Sequence, residues 1–189
     1  MGEPVKLRVF LALPLADTFA AEVSPLISEL KPAHPGIRWI PASEIHVTLH
    51  FFGVIDKAEI SRISNLIEPI TSRARPLNLC LEGLGVFPSA ARPRVVWIGI
   101  QGETAPLAEL RNQIEARLKE NGYSTEDRIF KAHVTVGRIK EEKGGGTFSP
   151  EKFGPTPFKI VKELVLFQSH LTSEGARYET IATYPLAKA

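Results

Sequence analysis

His46-Val47-Thr48-Leu49-His50-Phe51-Phe52 is rich in β-branched and aromatic residues and is followed by Gly53, so the stretch reads as a strand closed by a glycine. Side chains alternate across a strand. His46 and Thr48 therefore share one face, while Val47 and Leu49 point to the other and anchor a core. Upstream, residues 7–13 read as a buried strand ended by Pro14. Asp17-Thr18 then caps a helix running towards Leu30 that stops by Pro32, and residues 36–40 form a short strand. Downstream, Asp56 suits the start of a helix in which Ile60, Ile63, Leu66, Ile67 and Ile70 recur at helical spacing and present one face to a sheet. Residues 77–86 and Val95-Val96-Trp97-Ile98-Gly99 are strands, and Leu107, Leu110, Ile114 and Leu118 mark a helix that Asn121-Gly122 ends. Residues 130–139, 158–171 and 178–186 read as further strands, with Gly144-Gly145-Gly146 as a loop. This order predicts one α+β domain over residues 1–189, with helices packed on mainly antiparallel sheets.

Composition narrows the class without naming a partner. Lys and Arg number 23 against 21 Asp and Glu, so any basic footprint must be local. The single Cys80 lies in an apolar strand and cannot form an internal disulfide, which fits a cytoplasmic home. No basic leader precedes a long apolar run, and no stretch has the length of a membrane span, so no membrane role is expected.

The His-x-Thr tetrapeptide occurs twice, as His46-Val47-Thr48-Leu49 and as His133-Val134-Thr135-Val136, in a chain with five histidines. One copy in a strand is most simply a sheet pair; two copies, each inside a strand pattern, are poorly explained by chance. Side by side, such strands line a cleft with two imidazoles and two hydroxyls. One neutral imidazole can take a proton from water while an imidazolium gives one to a leaving ribose oxygen. The hydroxyls of Thr48 and Thr135 can donate to the non-bridging phosphate oxygens as charge grows there. A 2′,3′-cyclic phosphate suits this machinery, with no metal or cofactor. A bell-shaped pH profile near neutrality follows, with a rate indifferent to chelator. A zinc site built from His46, His50 and His133 is the sharper rival, but no acidic or Cys ligand completes it and the threonines would have no role.

Neighbouring residues have two readings each. Strict alternation puts His50 on the face of His46, as a substrate contact at the cleft mouth or as a surface histidine at the strand end. Phe51 then faces away and packs. Arg138 falls on the face opposite His133 unless a bulge at Gly137 re-aims it, giving either a phosphate contact or a surface ion pair. Lys131, Arg128, Arg92 and Arg94 are either a basic rim for RNA or scattered solvated charges. Phe87 and Phe130 are the better candidates for stacking a base; Trp39 reads as core.

The chain resembles the 2H phosphoesterase superfamily, and within it the RNA 2′,3′-cyclic phosphodiesterase branch, also called the 2′-5′ RNA ligase family. The likeness rests on Arg8-Val9-Phe10-Leu11-Ala12-Leu13-Pro14, on Gly36-Ile37-Arg38-Trp39-Ile40 leading to the first motif, and on Gly83-Leu84-Gly85-Val86-Phe87-Pro88. It continues through Pro93-Arg94-Val95-Val96-Trp97-Ile98-Gly99, the second motif with Arg138, and the segment from Leu166 to Tyr178. The resemblance implies a bilobal, pseudo-two-fold fold around a central cleft, His46 as proton donor, His133 as proton acceptor, and a 2′-phosphate product. It also implies 2′-5′ joining of tRNA fragments in reverse by some members, and a monomer is expected. Ala132 departs from the family, which usually has proline there. The rivals are a phosphodiesterase for another cyclic phosphate or a 2′-5′ linked nucleotide, and a non-catalytic RNA-binding module.

Overall fold

The computed structural model describes residues 5–125, 129–139, 148, 152–173 and 175–187. Arg128 and the Gly144-Gly145-Gly146 loop lie outside them. Nine strands and three helices are described: β1 Lys6–Pro14, α1 Ala16–Ala33, β2 Ile37–Trp39, β3 His46–Asp56, α2 Glu59–Thr71, β4 Leu77–Phe87, β5 Val95–Gly102, α3 Thr104–Glu120, β6 His133–Ile139, β7 Lys159–Val161, β8 Glu163–Thr172 and β9 Gly175–Pro185. They form two sheets, ordered β3-β1-β8-β9 and β2-β6-β5-β4-β7, and every described pairing is antiparallel. The mixed α+β class expected from the sequence is the one observed.

Several boundaries differ from the sequence expectation, and residues 158–171, read as one strand, divide at Lys162 into β7 and β8, which join different sheets. α1 starts at Ala16, with Leu15 preceding it and no side-chain cap; Asp17 sits inside the first turn, and the helix runs through Pro25 and past Pro32 to Ala33. Burial of Phe19, Val23, Leu26, Ile27 and Leu30 holds it there despite both prolines. Gly53 does not end β3: at φ +71° it follows a bulge, and the strand continues to Asp56, which pairs with Lys6 at 3.0 Å. Asp56 thus closes a strand, and α2 begins at Glu59.

One core joins both sheets. Val47 and Leu49 of β3, Val134 and Val136 of β6, and the inner residues of all three helices belong to it. β3 is an edge strand of the first sheet and meets β6 of the second, so the two motif strands lie next to each other. Helices tie the sheets from behind. α1 accepts a hydrogen bond at the Thr18 carbonyl from Lys159 Nζ on β7 (2.7 Å), and α3 reaches β3 through Glu115 and His50.

Candidate active site

Each motif strand carries the same irregularity at the same place. On β3, Ala12 pairs with Thr48 and Leu11 with His50, leaving Leu49 as the extra residue. On β6, Trp97 pairs with Thr135 and Val96 with Gly137, leaving Val136 extra. A bulge immediately after each threonine reverses the alternation that the strand would otherwise keep.

That reversal corrects two expectations. His50 leaves the face of His46 and turns into the core, 5% exposed, with Nδ1 2.9 Å from Glu115 Oε1 of α3. It is not at the cleft mouth. The three-histidine zinc cluster does not form, since His50 points away from His46. Phe51 takes the place expected for His50: it is 57% exposed and lies against Phe10, whose ring also touches His46. On β6 the bulge falls at Val136, one residue before the Gly137 expected to carry it, and it turns Arg138 to the face of His133 and Thr135. Phe51 and Arg138 thus occupy corresponding places, one on each motif strand. Gly137 is required here because a Cβ would come within 2.7 Å of Ile37 on β2.

Both imidazoles are half-buried and held alike. His46 Nδ1 lies 2.8 Å from the Glu44 carbonyl, and His133 Nδ1 lies 2.7 Å from the Lys131 carbonyl. A carbonyl only accepts, so in each ring Nδ1 carries the hydrogen and donates it. Nε2 is left as the free acceptor of the neutral ring. The rings are fixed by aromatic walls: Phe10 and Tyr178 flank His46, each at 5.0 Å, while Phe87 at 5.0 Å and Trp97 at 6.3 Å flank His133. Gly85 makes room for the Trp97 ring, since a Cβ there would fall 2.1 Å from it. Lys131 Nζ lies 4.5 Å over the same ring.

Burial lowers the His46 pKa from 6.5 to about 4; the nearby charges of Arg138 and His133 add to the fall, and the Glu44 carbonyl opposes it. His133 is also lowered, first by burial and then by the Lys131 charge, against the bond to the Lys131 carbonyl. Both rings are therefore neutral near pH 7 in the empty cleft.

The structure brings together His46, Thr48, His133, Thr135, Arg138 and Phe87. Phe130 is engaged elsewhere: its ring takes the Arg111 guanidinium at 5.3 Å and packs on the core. Arg92 is exposed in the turn after β4. Of the residues around the imidazoles, Phe10, Tyr178 and Trp97 went unrecognised as site residues. Each sits in a strand as ordinary apolar patterning, and only the ladder shows which face it takes.

A family model described as LigT like Phosphoesterase matches residues 13–97. An RNA 2′,3′-cyclic phosphodiesterase of Archaeoglobus fulgidus is 32% identical, over 94% of this chain and 99% of that protein. One from Methanothermobacter thermautotrophicus is 28% identical, over 96% and 100%. Among solved structures, a protein of Thermus thermophilus superposes with a TM-score of 0.83 at 24% identity, covering 96% of this chain and 99% of that one. Escherichia coli LigT complexed with 3′-AMP superposes with a TM-score of 0.81 at 23% identity, covering 96% and 99%. With the doubled motif brought into one cleft and the likeness running over nearly the whole chain, the protein belongs to the LigT-like cyclic phosphodiesterases of the 2H phosphoesterase superfamily.

Proposed function

We propose that the protein hydrolyses the 2′,3′-cyclic phosphate end of RNA to a 2′-phosphate without a metal, with His133 as the base and His46 as the acid. The observation that carries this is the matched pair of imidazoles on adjoining bulged strands, each locked through Nδ1 so that Nε2 is free for proton transfer. His133 Nε2 takes a proton from water as its oxygen attacks phosphorus. The bond from phosphorus to the 3′ oxygen breaks, and that oxygen receives a proton from His46 Nε2. Thr48 and Thr135 donate to the non-bridging oxygens, where charge accumulates, and the Arg138 guanidinium offsets it. Phe51 and Phe87 offer ring faces to the terminal base. With a 5′-hydroxyl in place of water, the same groups join two RNA ends: the hydroxyl oxygen attacks phosphorus, the 3′ oxygen leaves, and a 2′-5′ bond remains, with tRNA fragments as substrates.

We read the two sheets as similar lobes of one domain, acting as a monomer in the cytoplasm. The matched bulges support the first point, and the lone buried Cys80 fits the last. Among the described residues no helix is long and apolar enough to cross a membrane.

The direct test is incubation of a short RNA bearing a 2′,3′-cyclic phosphate with the protein in EDTA, resolving 2′- from 3′-phosphate products. A 2′-phosphate is expected; a 3′-phosphate would reverse the roles of the two oxygens, and loss of activity in chelator would sink the metal-free mechanism.

The lowered histidines move the expected optimum of kcat/KM below neutrality, away from the near-neutral bell expected from sequence. The acid must be protonated in the free enzyme, and with His46 near 4 that fraction falls as pH rises. A bound phosphate anion favours the imidazolium, so the optimum of kcat lies at higher pH than that of kcat/KM. Arg138→Gln removes a positive neighbour of His46 and shifts the kcat/KM optimum upward. Coincident optima for kcat and kcat/KM would contradict this account.

A further inference from the structure

Arg38 on β2 and Arg138 on β6 are directly paired across the ladder, in one row with Val95 of β5 and Phe87 of β4. Directly paired residues share a face, with Cβ atoms about 4.5–5.5 Å apart, and like charges in that position repel. Arg138 faces the cleft, so Arg38 does too; its chain neighbour Trp39 packs against the core. Neither arginine has an ion pair or hydrogen bond with the described residues. Arg8 extends the group: it lies two residues from Phe10 on β1, and the charges of Arg138, Arg38 and Arg8 all reach the Tyr178 hydroxyl. Among the described residues the carboxylate whose charge also reaches there, Glu44, is paired with Arg177 at 3.5 Å. Two juxtaposed guanidinium groups on a cleft wall form a place for an anion.

We propose that Arg38, backed by Arg8, binds the internucleotide phosphate one step upstream of the cyclic end, so that the site selects an RNA chain over a free nucleoside 2′,3′-cyclic phosphate. This rests on the cyclic phosphodiesterase reading of the same cleft. Arg138 serves the reacting phosphate beside His46, and β2 sets Arg38 one strand further out, about 4.8 Å away. The next phosphate of a chain leaving the cleft passes there. Its negative charge relieves the repulsion that the empty pair carries.

The test compares uridine 2′,3′-cyclic phosphate with a uridine dinucleotide ending in the same ring, for the wild type and Arg38→Gln. Loss of one charge-assisted contact lowers the ratio of kcat/KM, dinucleotide over mononucleotide, by about ten- to hundredfold. The salt slope for the dinucleotide weakens by about 0.7. Arg38→Gln does not lower the melting temperature, since it removes a repulsion. A ratio within twofold of the wild type's overturns the proposal, as does a wild type that gains nothing from the second nucleotide while still hydrolysing the first. A wild type that hydrolyses neither overturns the underlying reading as well.

Discussion

His46→Ala and His133→Ala are each expected to reduce turnover by about 10²–10⁴-fold, the contribution of a positioned general acid or base. Neither side chain is part of the core cluster, so both variants stay folded and the loss falls on kcat. In the proposed mechanism Thr48, Thr135 and Arg138 still hold the phosphate, and binding of a 2′-phosphate product should change far less than turnover. The two losses are not additive: once either proton transfer is missing, the double variant is little worse than each single one. Single-turnover kinetics with a cyclic-ended oligonucleotide check this. A parallel loss of affinity and turnover would favour the RNA-binding alternative, in which the imidazoles only contact phosphate.

Glu115→Ala is expected to destabilise the fold by about 3–5 kcal/mol, the usual cost of removing one member of a buried charged group. Glu115 and Arg111 are each 8% exposed, and Glu115 Oε1 is shared by His50 Nδ1 at 2.9 Å and by Arg111 at 3.3 Å. Without the carboxylate the Arg111 guanidinium is left buried against Phe130, with no other paired anion among the described residues to offset its desolvation. In a chain of this size that loss lowers the melting temperature by roughly 6–20 °C. Replacing the pair together, Arg111→Met with Glu115→Leu, should recover much of the loss, because apolar groups of similar volume carry no desolvation cost. Calorimetric melting of the three proteins decides it. A Glu115→Ala protein that melts within about 2 °C of wild type would show that water already solvates this cluster. The same network has a positional consequence, since His50 follows the β3 bulge and Phe130 precedes the second motif. α3 therefore ties the two motif strands from behind.

Much of this protein was legible before any fold was known. The doubled His-x-Thr within strand patterns marked the four polar residues that the fold brings to one cleft, and alternation alone put each histidine and threonine on one face, with Val47, Leu49, Val134 and Val136 in the core. Such local facts follow from the two-residue period of an extended chain, which needs no partner to be true. Helix faces were legible for the same reason, as Ile63, Leu66 and Ile67 of α2 show.

What lay beyond the threonines was decided by pairing. The register of β3 against β1 and of β6 against β5 places an extra residue directly after each threonine, Leu49 and Val136, and that residue exchanges the faces of those that follow, on β3 until a second bulge at Phe52. Hence His50 is buried on Glu115 and Phe51 exposed in the cleft, the reverse of their alternation, while Arg138 comes to the histidines. The sequence by itself determined which polar groups share a face of each motif strand, because residues two positions apart in an extended chain point the same way. Only the tertiary structure decided the walls and the charge of the site, because a bulge, an aromatic flank from β9 and an arginine pair across β2 and β6 are properties of strands meeting, and strands far apart in the chain carry no local mark of which neighbour they will meet.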